Sequence, residues 1–148
     1  MASRRTASFG VPYGYTGPGE GISYPEVPLP EFLAPVCAAV HRAFGFRPNS
    51  CLVNHYPDGR ASLGYHSDQV DKMEGGTGVC IVSLGAPRAI SFKSLSEPGA
   101  KHELLLAPGS ALYMTQEVQH GWKHAIPRSS SAAGPRTSLT FRRLVRSR

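Results

Sequence analysis

Long apolar runs are absent from this 148-residue chain, and none approaches the length needed to cross a bilayer. The opening residues, Met1-Ala-Ser-Arg-Arg-Thr6, lack the apolar core of a secretory signal. Cysteine is scarce. Cys37, Cys51 and Cys80 are odd in number, sit inside apolar runs and fit no zinc spacing. That pattern argues against a disulfide framework and for buried, reduced thiols in a cytoplasmic protein. Acidic residues are the smaller share of the charge, 10 against 16 Lys and Arg, leaving a net charge of +6 and a pI of about 9.6. The basic excess gathers at the ends, at Arg4 and Arg5 and then at Arg142, Arg143, Arg146 and Arg148. Such a balance favours contact with polyanions through counterion release, although basic tails are often merely solvated. Helical periodicity is missing after Gly45, which argues against an alternating βα fold.

Glycine and proline are abundant instead, 16 and 13 residues, and they fall between short apolar runs, as turns between strands do. One helix is legible. Pro30 and Glu31 suit its first turn, Leu33, Val36, Cys37, Val40 and Phe44 recur on one face, and Gly45 stops it. Pro35 is placed to bend its start. The strands that follow are read at Cys51–Tyr56, Ser62–Asp68, Gly78–Gly85, Arg88–Lys93, Lys101–Leu106, Ser110–Met114, His120–Ile126 and Thr137–Leu144. Short strands at this spacing predict a mainly β, closed antiparallel sandwich of the jelly-roll kind, with one N-terminal helix packed on its outside. The length suits a single domain.

Strand alternation then groups the chemistry. His66 and Asp68 share a face and can offer an imidazole nitrogen and a carboxylate oxygen to one ion. A third ligand from a later strand is available in His120 or His124, which share parity. Two His and one carboxylate on one side of a metal leave the opposite positions open, the arrangement used by non-haem Fe(II) in oxygen chemistry, though zinc accepts the same ligands. His-x-Asp alone is weak, since most such tripeptides are surface polar residues. The last strand adds weight. Arg136, Ser138, Thr140 and Arg142 share parity, so two arginines point inward. A buried Arg without an anion is costly, and two facing a metal site call for a doubly anionic ligand. They lie roughly 20 Å apart at ~3.3 Å per residue, and their side chains can converge on a short dicarboxylate between them. Asn54 and Tyr56, also of equal parity, can add hydrogen bonds.

Five stretches together resemble the AlkB family of Fe(II)/2-oxoglutarate dioxygenases, which remove alkyl groups from nucleobases. They are Cys51-Leu-Val-Asn-His-Tyr-Pro-Asp-Gly59, Tyr65-His-Ser-Asp68, Ile81-Val-Ser-Leu-Gly85, Trp122-Lys-His-Ala-Ile-Pro127 and Arg136-Thr-Ser-Leu-Thr-Phe-Arg142. The likeness runs from about Ser8 to Leu144. It implies a double-stranded β-helix, and Fe(II) held by His66, Asp68 and His124, with His124 preferred over His120 because Ala125-Ile126-Pro127 follows it. It implies 2-oxoglutarate contacts at Asn54, Tyr56, Arg136, Ser138 and Arg142, with Ser138 standing where the family often has Asn. Tyr13-Gly14-Tyr15-Thr16 looks like the family's aromatic lid, within a segment at about 8–24. Phe9 or Tyr15 is then the candidate to stack on a flipped base opposite His66.

Two departures bear on substrate recognition. Family members usually carry a substantial segment ahead of the lid, so residues 1–148 are expected as one dioxygenase domain, truncated at its N-terminus or reduced. Some place an acidic residue two positions after the metal Asp, where this chain has Val70, followed by Asp71. The activity implied is oxidative demethylation of alkylated bases in DNA or RNA, a repair reaction releasing succinate, CO2 and formaldehyde, by a monomer without a membrane partner. The alternative is a 2-oxoglutarate oxygenase of the same fold acting on a protein or small molecule.

Overall fold

The computed structural model describes residues 4–14, 16–17, 20–21, 24–132 and 134–146. The strands are β1 (Arg5–Gly10), β2 (Thr16–Gly17), β3 (Glu20–Gly21), β4 (Ser50–Tyr56), β5 (Leu63–His66), β6 (Val79–Gly85), β7 (Arg88–Ser94), β8 (Lys101–Leu106), β9 (Ala111–Met114), β10 (Trp122–Ile126) and β11 (Arg136–Arg142). The helices are α1 (Ala34–Phe44) and α2 (Gln116–Gly121). One sheet runs β1-β4-β11-β6-β9 and the other β5-β10-β7-β8, with β2 and β3 a separate pair. Consecutive strands such as β4 and β5, β6 and β7, or β9 and β10 cross between the two sheets, and all pairings are antiparallel. This is the jelly roll read from the sequence.

The sandwich has two apolar clusters, divided by the alternation of the large sheet. Tyr56, Ala61, Val79, Ile90, Met114 and Ile126 fill the interior between the sheets. Leu33, Cys37 and Val40 from the helical segment pack on Cys51, Cys80 and Phe141 on the outer face. Among the described residues α1 is the one long helix. A 3-10 turn at Glu31–Leu33 precedes it, so Pro35 falls in the first α turn, where its missing N–H costs nothing. Gly45, at φ 78°, caps the other end through its N–H to His41 O.

Strands β1, β2 and β3 and helix α2 were not read from the sequence. Edge strand β1 is mostly polar and pairs along β4 from Arg5↔His55 to Gly10↔Ser50. Helix α2 replaces the start of the strand expected at His120–Ile126, capped by Thr115, whose hydroxyl accepts from the Val118 N–H. It is too short to show a helical period.

All three cysteines are free and buried. Burial pushes the Cys51 thiol up to about 12 and the Cys80 thiol up to about 11, and raises Cys37 as well. Thiols held protonated are poor nucleophiles. Alkylation without reductant should therefore be slow on the folded protein, and mass spectrometry should find all three labelled once it is denatured. An unlabelled pair after denaturation would contradict the free thiols.

Candidate metal centre

Antiparallel pairing of β5 with β10 sets His66 opposite His124, with ring centroids 4.3 Å apart. β5 ends at His66, and Asp68 lies beyond it, where its backbone N–H donates to Gln119 Oε1 at 2.8 Å. That bond from α2 turns the carboxylate inward. Asp68 Oδ1 sits 3.5 Å from His66 Nε2 and 3.7 Å from His124 Nε2. One ligand atom from each of the three residues falls within 4.8 Å of the others, a fit to a single ion. His120 lies in α2, outside this group.

The second carboxylate oxygen is committed to Arg142, which donates to Asp68 Oδ2 from Nη2 at 2.7 Å and from Nε at 3.2 Å. Burial alone would raise the Asp68 carboxyl, but Arg142 and the two histidines outweigh it and hold it well below the usual carboxylate range. Burial, with His66 beside it, pushes His124 down to about 4, keeping it the neutral imidazole a metal requires. In the unfolded chain His titrates near ~6.5, so between that value and about 4 the unfolded state binds more protons and stability rises with pH. The melting temperature of the metal-free protein should hold above pH ~6.5 and fall as the pH drops toward 4. His124→Asn should flatten the fall across that window; an unchanged slope would assign it to other groups.

A cavity of about 310 Å3 opens from the triad into the sandwich. Asn54, Tyr56, Arg136, Ser138 and Arg142 all line it, as does Tyr13. At its deep end Arg136, 1% exposed, donates to Ser83 Oγ at 3.0 Å, while its Nε and Nη1 are buried without an acceptor. Nη1 of Arg142 is likewise without one. The cavity therefore offers unmatched cationic donors at two places, which suits a ligand with two anionic ends. The arginines are not equivalent, because Arg142 already neutralises Asp68. Tyr13 covers Arg142, with the guanidinium 3.8 Å from the ring centroid, and its hydroxyl accepts from the Gln69 N–H at 2.8 Å.

Phe9 is a correction. It pairs with Cys51, on the sheet face that meets α1, and is not among the cavity residues. Its neighbours Thr6 and Arg4 line the cavity, and Arg4 donates to Asn54 Oδ1 at 2.6 Å. Tyr15 lies outside the described residues. Val70 and Asp71 fall in a short 3-10 turn after the triad.

The sequence reading also missed Arg88. It is 2% exposed and donates to the backbone carbonyls of Asp58, Ala61 and Pro127, with its guanidinium 5.4 Å from the Tyr56 ring centroid. Arg136 lies 5.2 Å from the same centroid. Arg88 shares parity with Ile90, which would have marked it as inward-facing. Nothing in the pattern marks Gln119.

A profile of the 2OG-Fe(II) oxygenase superfamily matches residues 4–142. The chain is 31% identical over 150 residues to the Bos taurus protein named DNA oxidative demethylase ALKBH2, covering 96% of this chain and 53% of that protein. The Homo sapiens protein of the same name is 31% identical over 149 residues, with 96% and 57% covered. The Mus musculus alpha-ketoglutarate-dependent dioxygenase alkB homolog 3 is 28% identical over 102 residues, with 64% and 36% covered. The chain thus spans about half the length of the ALKBH2 relatives it matches. Among solved structures, OsALKBH1 aligns with a TM-score of 0.69 at 18% identity, over 95% of this chain and 78% of that one, and so shares its fold.

Proposed function

The chain belongs to the 2OG-Fe(II) oxygenase superfamily, and from that membership we propose that it removes methyl groups oxidatively from alkylated bases in DNA. The observation that carries the reading is a His66–Asp68–His124 triad opening onto a cavity with unmatched arginine donors. The likeness to proteins named DNA oxidative demethylase supports the choice of substrate. The family uses Fe(II) and 2-oxoglutarate, and the triad fits the iron.

With both bound, the site supplies an oxidant that hydroxylates a C–H bond at the expense of O2 and the 2-oxo acid, which leaves as succinate and CO2. The protein's own residues do the rest. Arg136, with Tyr56, Asn54 and Ser138 beside it, would hold the distal carboxylate. Arg142 fixes the orientation of the Asp68 ligand oxygen, and its free Nη1 would donate to the proximal carboxylate. Tyr13 closes over Arg142, and apolar walls from Ile81, Ile90, Met114 and Ile126 keep water from the oxidised carbon. A base from duplex DNA must leave its stack to reach the metal, at a cost of a few kcal/mol. Once hydroxylated, an N-linked methyl group gives up its hydroxyl proton and departs as formaldehyde, and the electron pair of the broken C–N bond returns to the ring nitrogen.

With iron and 2-oxoglutarate supplied, an oligonucleotide carrying 1-methyladenine or 3-methylcytosine should lose the methyl group and yield succinate in step. The unmethylated oligonucleotide, or omission of iron, should not. If neither lesion is repaired in DNA or RNA by protein that turns over 2-oxoglutarate, the substrate is a protein or a small molecule instead.

A further inference from the structure

His66 and His124 face the cavity from adjacent strands, so the residues beside them face the opposite surface of the small sheet. On that outer surface three lysines stand in direct register. Lys123 on β10 pairs with Lys93 on β7, and Lys93 pairs with Lys101 on β8. All three are exposed. Like charges set directly opposite each other across strands oppose sheet formation. Among the described residues no carboxylate is in ion-pair contact with any of them. The one attraction is aromatic: Lys93 Nζ lies 4.2 Å from the ring centroid of Tyr65 on β5. Glu103 stands on the same face, opposite Ser91, but makes no ion pair with the row. Three cations in register against one unpaired acid leave an excess positive charge that a ligand can match.

We infer that Lys101, Lys93 and Lys123 form a phosphate-binding row that carries the backbone of a nucleic-acid strand across the outer face of the small sheet toward the metal cavity. The commitment to a phosphodiester chain rests on spacing and place, and on the nucleic-acid substrate proposed above. Neighbouring strands lie ~4.8 Å apart, so the row spans ~10 Å. A row of that length can meet successive phosphates of one strand. The row ends at Tyr65, which with Gly64 and His66 forms the rim of the cavity on edge strand β5. A strand laid along the lysines therefore reaches the place where a base must turn in.

The test is the salt dependence of binding of the full-length chain to an unmodified single-stranded oligodeoxynucleotide, read by fluorescence polarisation. Changing all three lysines to glutamine should make the slope of log K against log salt shallower by roughly 2, at about 0.7 for each phosphate no longer neutralised. Changing all three to arginine should keep the slope. Arg42→Gln, on exposed α1 against the other sheet, should leave it unchanged. A glutamine variant with the wild-type slope overturns the row, as does a wild-type protein whose oligonucleotide binding ignores salt. Lysine-dependent binding to phosphatidylserine vesicles without oligonucleotide binding also overturns it. A lysine-dependent slope in a protein that removes no methyl group upholds the row and sinks the demethylase reading alone.

Discussion

Asp68→Asn should cost the protein its iron and part of its stability together. The carboxylate is buried between two demands: Oδ1 faces His66 and His124, and Oδ2 receives both donors from Arg142. Asparagine keeps the size but removes the charge from both. Replacing even an outer partner of a metal ligand costs ~10–100-fold, so loss of the anionic ligand itself should lower turnover at least ~100-fold. On the other side, Arg142, 4% exposed, is left as a buried cation without a counter-ion. Breaking a buried pair in this way costs roughly 3–5 kcal/mol. Iron binding by calorimetry and thermal melts of the metal-free protein would read the two losses separately. His66→Ala and His124→Ala should abolish turnover, with no stranded arginine in either case. His120→Ala should keep most of the activity, and an inactive His120→Ala beside an active His124→Ala would displace the ligand assignment.

Arg136→Met should separate co-substrate binding from folding in the opposite sense. Arg136 is buried without a carboxylate partner, and two of its N–H groups meet no acceptor. A charge-assisted hydrogen bond is worth ~1.5–3 kcal/mol, so losing two should weaken 2-oxoglutarate binding at least ~100-fold. Yet a buried charge without a counter-ion carries a desolvation cost that an apolar side chain of similar volume does not. The melting temperature without ligand should therefore hold or rise while affinity collapses. Calorimetry on manganese-loaded protein avoids turnover during the titration. Unchanged 2-oxoglutarate affinity would mean that the distal carboxylate binds elsewhere.

What could be read in advance followed from the strictness of strand alternation. Arg136, Ser138, Thr140 and Arg142 are all buried, as their shared parity required. The His66–Asp68 pairing came out right for a reason only half right: the strand ends at His66, and Gln119 of α2 supplies the bond that turns Asp68 inward. Nothing local could have revealed that, because the two residues are far apart in sequence and α2 is too short to show a period. Phe9 was misplaced because β1 was not recognised. Once its pairing with Cys51 is known, the same alternation that placed the arginines sends Phe9 to the helix side. The asymmetry of the two arginines was hidden for a similar reason, since the partner that distinguishes them, Asp68, comes from beyond the other sheet's edge strand.

β11 has a neighbour on each side that it cannot satisfy by shifting. Its even-numbered residues line the cavity, and Phe141 packs in the cluster beneath α1. Inserting or deleting a single residue within this strand would reverse the faces of all residues on one side of the change, so that one of the two arginines would be turned into the apolar cluster under the helix. Side chains here can be traded for others of like size, but the spacing between Arg136 and Arg142 cannot drift by one. Descendants of this sequence should therefore tolerate length changes in turns such as Glu97-Pro98-Gly99 and show none between those two arginines.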